Sequence, residues 1–423
     1  MKPFSRFTAI LLFLVAMSFT PRLFTQGQTT TTSTDPMKIV GYFPRYGIYQ
    51  GFFVKNLITN GSIKLLTHLD YAFTNVVNNR CVSFDTYADY QDPVSAAHAV
   101  NGQADVSGGF AGNFHQLQEL KKLYPNLKII VSIGGSRTDP NAFRSASLSQ
   151  NRQAFVKSCV TMYIQGYFGS GLHQPGIFDG FDLDWEFPAS TADKQNLTAL
   201  LAEFRRQLDA VKPGLTLSIA GPNGRWAYQY IDIPQVQKYL NFINVMTYDY
   251  DGPWKDNTGL VAPLYRSLKD PEPNNNASAT VEGYLESGLA PGKLIFGVPF
   301  YGYEWTNVAN LDNGLFEPGD PLGQGSAYNS IVNVQSKFRQ YRDSVSQSPY
   351  LFDGYNYWTY EDVTSIKFKM AYVRKQNLGG AMIWNLSQDL SNATLLNAVA
   401  SGLKPISLVL RFEWPKLPLR SSI

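Results

Sequence analysis

Eight short apolar runs, each followed by a loop and a stretch of helical periodicity, constrain this chain more than any other feature. They cover residues 38–42, 66–73, 127–133, 178–185, 215–220, 242–247, 294–299 and 380–384. Parallel strands joined through helices are buried on both faces and read as runs of this kind. The clearest helical signal is Leu197, Leu200, Leu201, Phe204 and Leu208, an i, i+3, i+4, i+7, i+11 stripe with Ser190 or Thr191 as its N-cap. Further helical periodicity falls at 114–124, 152–163, 281–287, 361–375 and 393–399. Eight strands alternating with helices predict an α/β fold, a (β/α)8 TIM barrel with its chemistry at the C-terminal strand ends. A doubly wound open sheet is the alternative, but no GxGxxG follows the first run.

Between Gly302 and Trp358 about 55 residues separate the seventh run from its helix. That is longer than a structureless loop in a compact domain, so a small α+β insertion is predicted at 303–358, between strand 7 and helix 7. The barrel with this insertion is expected to occupy 37–403, with a tail of unassigned role at 404–423. At the other end, a basic start and the apolar stretch 9–17 read as a signal peptide over 1–25, an uncleaved anchor being the alternative. A Thr-rich spacer follows at 26–36. The implied location is secreted and extracellular, with no membrane association after cleavage.

Composition narrows the partners. With 36 basic and 33 acidic side chains the formal charge is +3, and charged residues are only 16%. Nucleic acid needs a basic stripe, so it is excluded as the main partner. The 25 Tyr, 27 Phe and 7 Trp suit a large core plus stacking platforms for a flat neutral ligand. His68, His98, His115 and His173 are scattered, and two cysteines cannot build a four-Cys zinc site, so no metal is expected. Cys81 and Cys159 could pair in a secreted chain; sequence leaves their distance open.

The run at 178–188 carries the chemistry. Strand side chains alternate, so Asp182, Asp184 and Glu186 share one face and Phe181, Leu183 and Trp185 the other. In a barrel the aromatic face meets the helices and the acidic face points inward. Carboxylates spaced about 7 Å along a strand in a low-dielectric interior cannot all ionise cheaply. Glu186, the outermost, is the natural group to keep a raised pKa.

Asp179-x-x-Asp182-x-Asp184-x-Glu186 resembles the DxxDxDxE signature of glycoside hydrolase family 18, the chitinase family, whose fold is a (β/α)8 barrel. Ser132-Ile-Gly-Gly135 is similar to its SxGG on strand three, and Met246-Thr-Tyr-Asp249 to its MxYD on strand six. The stretch ending at Trp384 is similar to its last strand. These motifs stand in the expected order between about Lys38 and Leu403.

The resemblance implies a secreted chitinase of the bacterial and fungal kind, acting as a monomer on chitin or chitooligosaccharides without a cofactor. It implies that Glu186 protonates the glycosidic oxygen and then deprotonates water. Asp184 would accept the N–H of the substrate's 2-acetamido group, whose oxygen is the nucleophile, and Asp182 would hold Asp184 through a shared proton. Tyr248 would donate to the acetamido carbonyl, Asp249 would bond the distorted sugar, and Trp384 would floor it. Tyr42, Phe73, Met246 and Tyr301 would surround that sugar, and Gly134 and Gly135 would leave it room or serve a tight strand exit. Asp179 reads as a strand-start anchor and Ser132 as a hydrogen-bond donor to the buried carboxylates; no GxSxG occurs.

Two departures stand out. Ser136 follows SxGG where many members have Trp, and Tyr303 replaces the Arg of GVPxYGR. Trp254 is either an alternative platform or a packing residue. The competing functions are an endo-β-N-acetylglucosaminidase acting on N-glycans and a non-catalytic chitin-binding lectin of the same fold. The intact Glu186 argues against the lectin.

Overall fold

The protein is described by a computed structural model covering residues 36–169 and 171–404. The leader expected at 1–25, all but the last residue of the spacer and the tail beyond Lys404 lie outside the described residues. Eight parallel strands form a closed barrel: β1 Lys38–Pro44, β2 His68–Val77, β3 Lys128–Gly134, β4 Gly180–Asp184, β5 Thr216–Gly221, β6 Phe242–Val245, β7 Leu294–Pro299 and β8 Gly380–Trp384. Each pairs with its chain neighbour, and β1 pairs with both β2 and β8 to close the ring. The open-sheet alternative is therefore excluded.

Register sets the interior. β3 pairs Ser132 with Asp182, and β5 pairs Ser218 with Asp182, so two hydroxyls stand level with one carboxyl. β1 pairs Tyr42 with Asp70 on β2. The outward side chains of β4 pack on the helices: Phe181 lies edge-on to Phe204 at 5.5 Å, and Trp185, just past the strand, stacks on Phe143 at 5.7 Å. Phe204 belongs to the helix Thr191–Val211, whose whole predicted stripe is buried. Of its two candidate caps Ser190 serves, its hydroxyl accepting the Asp193 N–H at 3.0 Å.

The insertion is a five-stranded antiparallel sheet in the order Asp320–Ala327, Tyr301–Thr306, Tyr357–Thr359, Pro349–Phe352, Arg339–Arg342, with the helix Tyr328–Val334. Its first strand follows β7 almost directly and brings Tyr301 and Tyr303 to the barrel mouth. A hairpin escaped the sequence reading. The run at 66–73 continues to Val77, turns through Asn78 and Asn79, both at positive φ, and returns as Arg80–Ser83. Cys81 on that return strand is disulfide-bonded to Cys159, with Cα atoms 5.0 Å apart, tying the hairpin to the helix Ser149–Cys159.

Candidate active site

The barrel centre is built around Asp182, which is fully buried. Its Oδ2 accepts from the hydroxyls of Tyr42 at 2.7 Å and Ser132 at 2.8 Å. Its Oδ1 accepts from Ser218 at 2.8 Å and from the Asn244 amide at 3.3 Å. Burial raises the Asp182 pKa, and these donors oppose that rise. With four donors converging on it, Asp182 makes no hydrogen bond to Asp184 in this arrangement.

Asp184 stands one step outward and is buried, with no partner for its Oδ1. Burial and the neighbouring Glu186 and Asp182 push its pKa well up. An unpartnered buried carboxyl oxygen is costly unless a ligand supplies a donor. Glu186 lies just past the end of β4, its pKa raised to about 7 by burial and then by the charge of Asp249.

Asp249 is held in a left-handed conformation at φ 59°. The Asn223 amide secures the turn by donating to the carbonyls of Tyr248 at 2.7 Å and Asp249 at 3.1 Å. The Asp249 carboxylate accepts from Tyr301 at 2.5 Å and Tyr303 at 2.9 Å. Tyr303, where an Arg is common, thus puts a phenol on the same oxygen as Tyr301. Among the described residues the Tyr248 hydroxyl has one hydrogen-bond partner, the Met382 sulfur at 3.9 Å, and burial keeps the phenol protonated as a donor.

These groups enclose a pocket of about 120 Å³ lined by Asp184, Glu186, Tyr248, Asp249, Tyr301 and Trp384, among others. Tyr42, Phe73, Ser136 and Met246 also line it. Trp384 stacks near-parallel to Phe73 at 5.4 Å and meets Tyr42 edge-on at 5.4 Å. A wider cleft of about 710 Å³ adjoins it and shares Glu186, Met246, Tyr248 and Asp249; Trp254 lines this cleft, not the smaller pocket.

Gly134 and Gly135 leave β3 with φ of 115° and 79°, as a tight strand exit requires, and a Cβ at Gly135 would come within 2.7 Å of the pocket-lining Phe73 ring. Gly134 likewise admits the Asp184 carbonyl oxygen to 2.1 Å of where a Cβ would stand. Asp179 anchors the strand start as expected, accepting the Ile129 N–H at 2.8 Å and the Lys121 ammonium.

Three interior groups escaped the sequence reading: Asp70, Ser218 and Asn244. Asp70 is fully buried; its Oδ2 accepts from Asn244 at 3.3 Å and its Oδ1 has no partner. Burial and then the nearby Asp182 drive its pKa well up, against the Asn244 hydrogen bond. Each of the three is a polar residue inside a largely apolar run, and that was the available signal.

Fold and site together define a (β/α)8 barrel whose mouth is an aromatic pocket around a ladder of carboxyls. The chain belongs to glycosyl hydrolases family 18, whose family model matches residues 38–389. It is 33% identical over 371 residues to chitinase C of Streptomyces lividans, covering 84% of this chain and 57% of that protein. Chitinase 1 of Aphanocladium album is 30% identical, covering 86% of this chain and 84% of that one. Thus the chain spans between half and two thirds of the Streptomyces relative. Among solved structures, the catalytic domain of psychrophilic chitinase B from Arthrobacter TAD20 superposes with a TM-score of 0.81 at 31% identity, covering 86% of this chain and 95% of that one. The Ostrinia furnacalis group IV chitinase in complex with allosamidin gives 0.74 at 29%, covering 87% and 99%.

Proposed function

We propose that this chain is a secreted chitinase that hydrolyses β-1,4 bonds between N-acetylglucosamine units by a substrate-assisted, retaining mechanism. The observation that carries the reading is the pairing, in one pocket, of a half-protonated Glu186 with an Asp184 oxygen that lacks a donor. Glu186 near pH 7 holds a proton for the leaving oxygen and can afterwards take one from water. The vacant acceptor on Asp184 suits the N–H of a 2-acetamido group, which fixes its carbonyl oxygen beneath the anomeric carbon. Tyr248, a phenol without a strong partner, donates to that oxygen and disperses its charge in the ring-closed intermediate. Asp182, held by its four donors, supports Asp184 from below, and Trp384 offers an aromatic face to the apolar side of the pyranose.

Chitinases among the relatives, and the allosamidin complex of a structural neighbour, support the substrate class. The basic and apolar start of the chain supports secretion, and among the described residues no helix is long and apolar enough to cross a membrane. The test is hydrolysis of soluble chitin oligomers beside β-1,4-glucan oligomers and a high-mannose glycoprotein, with product anomers followed by proton NMR. Chitin oligomers should be cut with the β configuration retained, and glucan, lacking the acetamido nucleophile, should be inert. Cleavage of glucan, or α product at first appearance, refutes the mechanism. Release of glycans in preference to chitin oligomers favours the endo-β-N-acetylglucosaminidase instead.

A further inference from the structure

Every strand of the barrel starts at the end opposite the mouth, and that end carries a different charge pattern. β1 begins with Lys38, β2 with His68 and β3 with Lys128, and the register of β2 and β3 pairs His68 with Lys128. The helix Gly112–Leu123 returns to this end with Lys121 in its last turn, and Lys212 follows the helix Thr191–Val211. Two titrating groups register how close these cations lie. Burial and then Lys38 and Lys128 lower the His68 pKa to about 4, so its imidazole is neutral at pH 7. Burial also lowers the Lys121 pKa; its pair with Asp179 opposes the fall, and Lys128 and Lys212 add to it.

Lysine at the C-terminal end of a helix meets the negative end of the dipole, which accounts for Lys121 and Lys212. Lys38 and Lys128 stand at strand starts and have no such reason. Asp179, the carboxylate in this cluster, is taken up by Lys121 and the Ile129 N–H. Beside β2 and β3 the surface opens into a groove of about 660 Å³ lined by Lys64, His68, Tyr124, Asn126 and Lys128, among others. Lys64 and Lys128 are exposed. Among the described residues no Asp or Glu lines this groove, whereas Glu186, Asp249 and Glu272 line the wider cleft at the mouth.

Uncompensated lysines around a concavity attract a polyanion that can enter it. A flat lipid surface would meet only the rim. Single-stranded nucleic acid is held by successive stacked bases and by arginine, but here the cations are lysines and, His68 apart, the lining has one aromatic ring, Tyr124. A chain of acidic sugars fits: its carboxylates meet the ammonium charges, while Tyr124 and Asn126 meet ring faces and hydroxyls. We propose that this groove binds a linear acidic polysaccharide, which holds the protein by the end of the barrel opposite its active site. The mouth then stays open to a second, neutral chain. The inference goes beyond the chitinase reading and does not depend on it, because no residue of the catalytic pocket takes part.

The test is calorimetric titration of the full chain with an oligogalacturonate. Binding should weaken about tenfold or more between about 50 and about 200 mM salt. Lys64→Gln with Lys128→Gln should weaken it about fivefold or more, and arginine at both positions should retain it. Lys337→Gln with Lys367→Gln, a charge-matched pair of exposed lysines away from the groove, should leave it unchanged. Unfolding midpoints of the variants equal to wild type separate lost charge from lost fold. No binding at the lower salt, or equal losses in the two glutamine pairs, overturns the inference. So does displacement by a chitin hexamer, which would put the acidic chain at the mouth. Tighter binding of phosphatidylglycerol vesicles, or of a single-stranded oligonucleotide of equal charge, overturns the polysaccharide as partner. Hydrolysis of chitin is read in a separate assay, so failure of that reading and failure of this one are distinguishable.

Discussion

Replacing Glu186 by Gln should abolish hydrolysis and, above neutral pH, make the fold more stable. The Glu186 carboxyl has its pKa raised from an ordinary 4.5 to about 7, first by burial and then by Asp249. At pH 4 it is protonated in both the folded and the unfolded chain, so it contributes no difference. Between 4.5 and about 7 the unfolded chain gives up the proton while the folded chain keeps it, so stability falls as pH rises. Above the folded pKa the loss is complete, at about 3 kcal/mol for a gap of this width. Glutamine has no proton to lose. The stability of Glu186→Gln relative to wild type should thus grow by about 3 kcal/mol from pH 4 to pH 8.5, or roughly 4 °C in Tm for a chain of this length. Chemical denaturation at several pH values measures it directly. The same gap matters for catalysis: at pH 7 a carboxyl titrating at 4.5 is only about 0.3% protonated, and one titrating near 7 is about half protonated. Losing the acid outright should cost about 10²–10⁴-fold or more in kcat. Parallel stability curves for mutant and wild type across this pH range would show that Glu186 titrates like a surface carboxyl and refute the reasoning.

Tyr42→Phe removes one of four donors to the buried Asp182. Its expected cost is about 1.5–3 kcal/mol at pH 7, shrinking at low pH where Asp182 gains a proton; urea unfolding at both pH values checks this. The double variant Cys81→Ala, Cys159→Ala opens a link spanning 78 residues and should lower stability by about 2–4 kcal/mol, with wild-type KM retained because the bridge lies on the hairpin outside the pocket. Tyr303→Arg should move the alkaline limb of kcat/KM toward lower pH, on the order of half a pH unit, and a limb that does not move counts against the coupling argued below.

The barrel and its acidic strand were legible because both are periodic. Eight apolar runs separated by helical stripes allow few topologies, and three carboxyls opposite Phe, Leu and Trp leave one face for the interior. Asp70, Ser218 and Asn244 were not legible for the complementary reason. Each is a polar residue in a largely apolar run, and its meaning depends on tertiary placement: Asp70 stands level with Tyr42 and Ser218 with Asp182, while Asn244 reaches Asp70 and Asp182 across the interior. The hairpin after β2 was masked because Asn78-Asn79 reads as an ordinary loop until the return strand is paired. Of the two readings of Gly134 and Gly135, the tight strand exit matches their positive φ, and the Phe73 ring packs where a Gly135 side chain would stand. Asp182 shows a limit of another kind. Spacing along a strand tells which carboxyls are neighbours, but not that four donors from β1, β3, β5 and β6 converge on one of them.

The insertion reaches into the chemistry through Asp249. Tyr301 and Tyr303, both on its first strand, donate to one oxygen of that carboxylate, and Asp249 in turn raises the pKa of Glu186. A phenol and a guanidinium at position 303 would both satisfy Asp249, but they differ in charge. The phenol favours the anion by hydrogen bonding while leaving its negative field intact, so Glu186 is held near 7. A guanidinium would pair with the anion and cancel part of that field, making the protonated Glu186 easier to ionise. Tyr303 is therefore consistent with the rest of the site: it supports Asp249 by a neutral contact and leaves the field of Asp249 to raise the Glu186 pKa. It also braces Trp254 at 5.6 Å, so one side chain links the acidity of Glu186 to the wall of the wider cleft.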